Sequence, residues 1–384
     1  MQVCERRCLT DASAERAQIV RDTFMIPAAN VPAMSEHTNQ SRRAYLVGIG
    51  TLATLGGCSQ EDQGPEGTPE QTPVETSTAS PTPTDTATPT ATETPTPTET
   101  ATPTPTSRTP DPDEPLAARY GVDQREATYR ETEDGPLRVE ASLPDGDRSF
   151  PLLVHVHGGA WRYGAPGYGM MDTLARAGVA VASVEYRLSG TATYPAPVRD
   201  VTASIKWVRA NEPDWNIDTD RVTLMGGSAG AHLAALVAAA PDYPNFQPEG
   251  VDVEGSAEVD ALVSHYGVFE LRHDWACDDR NLGEFFGEDC DSEEVKAEAT
   301  PLTHVDESHP PTLLFHGDED ELVPVDSSRT YRDTLQQAGV PVEYKELEGV
   351  GHGYTEPENE KQAEVRRRTH RRTVNYLFQG PWAE

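Results

Sequence analysis

Lysine is nearly missing. The 384-residue chain carries it only at positions 206, 296, 345 and 361, so almost all of its 31 basic residues are arginine, set against 64 acids for a net charge of −33. A surface so negative repels phosphate backbones, which excludes nucleic acid as a partner. The acids are scattered along the chain and not gathered into one block. They read as the solvating coat that keeps halophilic proteins dissolved at molar salt, and not as a face for one cationic partner. Large apolar residues are nearly missing from Ser59 to Pro115, where there is no aromatic residue, Val74 is the only larger aliphatic and Arg108 the only base. Such text has nothing with which to build a core. Cysteine is sparse as well: Cys4, Cys8, Cys58, Cys277 and Cys290 make up the set. Cys277 and Cys290 are too few for a structural zinc site, and in their acidic, loop-rich stretch they either pair outside the cytoplasm or stay free. Histidine-rich metal spacing is missing too, so neither a metal nor an organic cofactor is expected.

What is there begins with an address. The paired Arg42 and Arg43 lead into Val47 to Gly57, a short run rich in glycine and small apolar residues, and then into Cys58. That is the layout of a signal peptide. The run is too short to cross roughly 30 Å of hydrocarbon comfortably. The arginine pair resembles a twin-arginine export signal and Leu55-Gly56-Gly57-Cys58 resembles a lipobox, which implies a lipid on Cys58 after cleavage before it. Residues 1–33 read as an extension ahead of a true start at Met34, residues 34–57 as the signal, and residues 58–115 as a lipid-anchored Thr/Pro-rich stalk. At about 3.1 Å per residue an extended stalk reaches roughly 150 Å or more. The expectation is an exported protein held on the outer face of the cytoplasmic membrane through an N-terminal lipid only. Residues 116–384 remain as one foldable domain, of a size that a single α/β core commonly reaches.

Within that domain the apolar text alternates between two periods. Pro151 to Val156 and Gly178 to Val184 are continuous apolar runs suited to buried parallel strands, Arg221 to Met225, Ala261 to Ser264 and Thr312 to His316 give further strands, and Pro341 to Leu347 adds another. Between them Val198 to Ala210 has the helical period, with Val201, Ile205 and Val208 on one side, and Ala229 to Ala240 reads as a small-residue helix. Alternation of this kind predicts an α/β fold, a mostly parallel central sheet with helices on both faces and functional residues at the carboxyl ends of strands.

Three chemical signals sit at those ends. Gly226-Gly227-Ser228-Ala229-Gly230 is a G-x-S-x-G pattern between a strand and a helix, which makes Ser228 the candidate nucleophile. Serine needs a base held by a carboxylate, and the chain order Ser, Asp, His is met by Asp320 in the Gly turn after His316 and by His352 in Gly351-His352-Gly353. Asp318 and Glu319 are the competing acids. A tetrahedral oxyanion needs amide donors, and His157-Gly158-Gly159-Ala160-Trp161 offers the backbone of Gly158 and Gly159, which the amide of Ala229 would complete. His157 itself, ahead of the nucleophile, reads as structural.

With Tyr186-Arg187-Leu188 and Asp218 to Arg221, these motifs make residues 139 to 377 resemble the α/β-hydrolase superfamily, and within it esterases of the hormone-sensitive lipase and feruloyl or acetyl esterase kind. The resemblance implies the α/β-hydrolase fold, a Ser228–His352–Asp320 triad, and an oxyanion hole at Gly158, Gly159 and Ala229. It also implies cleavage of a small-molecule or polymer-borne ester through an acyl-enzyme. The hormone-sensitive lipase group shows a third Gly and an Asp where this chain has Ala160 and Gly227, so the feruloyl and acetyl esterase subgroup fits better. Arylformamidases share that pattern. A prolyl oligopeptidase-like peptidase shares the triad order but carries a propeller, and a substrate-binding lipoprotein would lack a triad member. Residues 265–310, with Trp275, Phe285, Phe286 and the two cysteines, are expected to form an insertion over the pocket.

Overall fold

The structure is a computed structural model that describes residues 116–249, 255–273 and 276–383. The signal, Cys58, the stalk and Trp275 lie outside the described residues. The strands are β1 (Val122–Thr132), β2 (Gly135–Pro144), β3 (Phe150–Val156), β4 (Ala180–Val184), β5 (Ile217–Gly227), β6 (Ala261–His265), β7 (Thr312–Gly317) and β8 (Val342–Leu347). They form one sheet in the order β1-β2-β4-β3-β5-β6-β7-β8. β2 runs antiparallel to both β1 and β4, and every other pairing is parallel. The order reverses at β3, which has β4 on one side and β5 on the other. A crevice opens at such a reversal because the connections leave toward opposite faces.

Burial on both faces explains the apolar runs. All seven residues of β3 and all five of β4 and β6 are buried. On one face Leu153, Val181, Met225, Val263 and Phe315 meet α1 (Met171–Ala177) through Leu174 and α7 (Glu360–Gln379) through Val365, Val374 and Leu377. On the other, Val154, Ala182, Leu224 and Leu262 meet α2 (Ala196–Ala210) through Val201 and Ile205, and α3 (Ala229–Ala239) through Leu233 and Leu236. The segment between β6 and β7 carries α4 (Arg280–Phe286) and α5 (Glu293–Glu298), and α6 (Asp326–Gln337) links β7 to β8. Cys277 and Cys290, which the sequence leaves paired or free, are bonded, with Cα atoms 5.6 Å apart.

β1 is an edge strand whose sequence is mostly polar and exposed. Its inward Arg130 ties it to the body: the guanidinium donates to Asp200 at 2.6 Å, and Arg187, just past β4, donates to the same carboxylate from Nε at 2.8 Å, from Nη2 at 3.0 Å and from its amide at 3.0 Å. Asp200 is fully buried. Four donors satisfy a carboxylate that would otherwise be costly to enclose.

Candidate active site

The end of β5 turns into α3 at Ser228, whose backbone sits at φ 54° and ψ −123°, a conformation that strains an L-residue. The turn can be this tight only because its neighbours lack side chains. A Cβ at Gly226 would lie 2.3 Å from the carbonyl oxygen of Gly230, and one at Gly230 would lie 2.2 Å from that of Val156. Ser228 thereby stands at the mouth of a helix buried along its whole length, where the positive end of the helix dipole favours negative charge on or beside Oγ.

His352 Nε2 lies 3.0 Å from Ser228 Oγ, and its Nδ1 lies 2.7 Å from Asp320 Oδ2. In the neutral imidazole with the proton on Nδ1, that nitrogen donates to Asp320 and Nε2 accepts from the serine hydroxyl. Asp320 Oδ1 accepts from the amides of Leu322 at 2.9 Å and Val323 at 2.8 Å, and His316 Nε2 is 3.3 Å from Oδ2. Burial alone would push this carboxyl up. The hydrogen bonds from His316, His352 and the Val323 amide outweigh it and hold the group well below the usual carboxylate range. Of the competing acids, Asp318 instead accepts from the amide of Gly349 at 2.7 Å, and Glu319 is exposed.

The loop after β3 runs beside the elbow. A Cβ at Gly158 would stand 2.9 Å from the Gly227 carbonyl oxygen and 3.5 Å from Ser228 Cβ, so this backbone closes on Ser228. Ala229 opens its helix, and its amide has no carbonyl four residues earlier within that helix to bond. Gly158 and Ala229 thus flank Ser228, and Gly159, next in the chain, packs against the backbone of Tyr163. His157 bonds the Gly158 carbonyl through Nδ1 at 2.8 Å, and its own carbonyl accepts from Tyr186 Oη at 3.1 Å, a scaffolding arrangement.

Sequence reasoning missed two supports, the Trp161–His232 pair and the task of His316, and left the contacts of a third, the expected 265–310 insertion, unspecified. Trp161 donates from Nε1 to His232 Nδ1 at 3.1 Å, while His232 Nε2 bonds the Ala299 carbonyl at 2.8 Å. His232 is buried and neutral, its pKa pushed down to about 4 by desolvation, which suits an imidazole that accepts on one nitrogen and donates on the other. His316, quoted in the Asp320 motif, had no assigned task and proves to back the acid. Finally, the 265–310 segment reaches the loop through Phe285, whose ring is 4.9 Å from Trp161, and through Glu284, which accepts from Arg162 at 2.5 Å. A tryptophan or histidine inside an otherwise small-residue motif was the available signal, since buried polar rings require partners.

The chain resembles known proteins over this same region. The BD-FAE family profile matches residues 141–335. Esterase LipQ of Mycobacterium tuberculosis is 34% identical over 221 residues, covering 54% of this chain and 51% of that protein, and Esterase LipC of the same organism is 32% identical over 266 residues, 64% of each. The chain therefore spans between half and two thirds of the length of these relatives. Among solved structures, native Thermogutta terrifontis esterase Est2 shares the fold at a TM-score of 0.58 with 22% identity, covering 67% of this chain and 92% of that one. Taken with the strand order, the family match establishes that the chain belongs to the BD-FAE family and is built on the α/β-hydrolase fold.

Proposed function

We propose that the protein is an exported serine hydrolase of carboxylic esters, of the short-chain acyl, acetyl or feruloyl type. The observation that carries this reading is the unbroken hydrogen-bonded line from Asp320 through His352 to Ser228 at the elbow. Ser228 Oγ attacks the ester carbonyl carbon as its proton passes to His352 Nε2. The carbonyl oxygen becomes an oxyanion facing the amides of Gly158, Gly159 and Ala229. The carbon–oxygen bond to the alcohol then breaks, and His352 returns the proton to the departing alcohol oxygen. Water next gives a proton to His352 as its oxygen adds to the acyl carbon, and the acid leaves while Ser228 recovers its proton. Asp320, held ionised, keeps Nδ1 protonated and faces the imidazolium as it forms.

The test is hydrolysis of p-nitrophenyl acetate, butyrate and octanoate at molar salt by the full chain, together with labelling by a fluorophosphonate probe. Turnover of the shorter esters and label on Ser228 are expected. A folded protein that does neither would sink the reading in favour of a binding role. The esterase names of LipQ and LipC support ester substrates, and the Phe285 contact with Trp161 supports a role for the 265–310 segment in acyl or alcohol preference.

For location, the proposal rests on Arg42, Arg43 and the Leu55-to-Cys58 stretch. Cys58→Ala should move the protein from the membrane fraction into the medium or leave it as an unprocessed precursor. Mature protein that stays with the membrane would rule out lipid on Cys58 as the anchor.

A further inference from the structure

Among the described residues, five that are not glycine have positive φ: Ala160, Trp161, Asn216, Ser228 and Tyr266. Side-chain-bearing residues are held there only where their surroundings over-determine them. Asn216 caps a short helical turn, a place that asparagine tolerates. Ala160 and Trp161 belong to the oxyanion loop and Ser228 is the nucleophile. Tyr266, at φ 42°, has no part in the mechanism given above.

Its contacts point to one. Tyr266 follows the last residue of β6 and is 4% exposed. Its amide donates to the Phe315 carbonyl at 2.8 Å, which ties the strained backbone to β7. Toward the nucleophile, a Cβ on Gly227 would come within 3.0 Å of its hydroxyl oxygen. Toward the base, its ring centroid is 4.5 Å from that of His352 and 4.9 Å from that of Tyr354, and its hydroxyl is hydrogen-bonded to Thr355 Oγ1. Tyr266 thus fills the space between the elbow and the loop that carries His352. That loop has glycine on both sides of the histidine, with Gly353 at φ 76°, so its own sequence does little to stiffen it.

We propose that Tyr266 is a positioning residue for His352. Its ring is the wall on which the imidazole rests, and its hydroxyl, bonded to Thr355, latches the far end of the loop, so that Nε2 stays within reach of Ser228 Oγ. The proposal rests on the esterase reading above. Because Tyr266 acts through the base and not on substrate, its loss lowers kcat and leaves KM in place.

The experiment compares the full-length protein with Tyr266→Leu, Tyr266→Phe, Thr355→Val and the Phe/Val double variant, each checked for a native melting transition. Tyr266→Leu should lower kcat, and the rate of fluorophosphonate labelling, by about 30–100-fold with KM changed less than about twofold. Tyr266→Phe restores the wall and should lose only about 3–10-fold. Thr355→Val should match it, and the double variant should be no worse than either single one, because both break the same bond. Unchanged kcat in Tyr266→Leu, or a raised KM at constant kcat, would overturn the proposal. If Tyr266→Leu does not fold, the two volume-keeping variants decide: equal, non-additive losses support the latch, and full activity in both overturns it. Failure of the esterase reading looks different, because the wild-type protein itself would then neither turn over ester nor take the label.

Discussion

Ser228→Ala should lower kcat for p-nitrophenyl acetate by about 10⁶-fold, and Asp320→Asn by about 10⁴-fold, with both variants still folded. The two losses differ in cause. Alanine removes the atom that bonds to the acyl carbon, so what is left is whatever the oxyanion amides achieve with water. Asparagine leaves Ser228 and His352 in place but replaces an acceptor-only group with an amide. Asp320 Oδ1 takes two backbone donors and Oδ2 faces His352 and His316. An NH2 group set against either pair meets donors with a donor, and against His352 it favours the tautomer whose Nε2 carries the proton and cannot accept from the serine. Steady-state kinetics on the purified variants, with circular dichroism to check the fold, measure both effects. Asp320→Asn within tenfold of wild type would remove Asp320 from the triad and return attention to Asp318 or Glu319.

The second large effect concerns acid. His232, His309 and His370 are buried with pKa values pushed down to about 4, and His265 to about 3; desolvation is the leading cause for each. Burial also lowers His155 and His157. These groups fold neutral, whereas an unfolded histidine titrates near 6.5. Their contribution is therefore fully present above about pH 6.5 and is lost as pH falls toward the folded values, because the unfolded chain then binds protons that the folded one refuses. Linkage gives on the order of 2 kcal/mol per such histidine at pH 5, against a typical domain stability of about 5–15 kcal/mol. Asp260 and Asp279 oppose this, since burial raises their carboxyls, but they are two groups only about half-buried. Urea or thermal unfolding at fixed molar salt should show steep destabilisation from pH 6.5 to 4.5. A melting temperature that holds steady across that range would show that the histidines are not buried neutral.

Much of this molecule was legible in its sequence, and unevenly so. β3 to β7 announced themselves, because strands covered on both faces are written as continuous apolar runs, whereas β8, an edge strand of sequence VEYKEL with no fully buried residue, was read without such a run. Ser228, Asp320 and His352 were legible because the elbow and the triad order constrain residue type, position and sequence order together, and the structure brings the three within hydrogen-bonding distance. β1 was silent: at the sheet edge it presents Asp123 to Glu126 to solvent, and only Tyr129 and Arg130 turn fully inward, so no apolar period marks it. α7, with Arg366, Arg367, Arg368, Arg371 and Arg372 in its sequence, hides its buried stripe of Val365, Thr369, Val374 and Leu377 among charges. Tyr266 was illegible for another reason. Its importance lies in a backbone angle and a loop 89 residues away, and neither leaves a local pattern.

The joint between Arg130, Asp200 and Arg187 bears on how the domain responds to its medium. At 1 M salt mobile ions screen charges beyond about 3 Å of water, so exposed pairs such as Arg329 with Glu346 weaken there. No ion can enter around a carboxylate that is fully buried and already holds four donors. The grip of the edge strand on the body is thus insulated from ionic strength, and what brine or its dilution alters is the outer coat of carboxylates rather than this inner fastening.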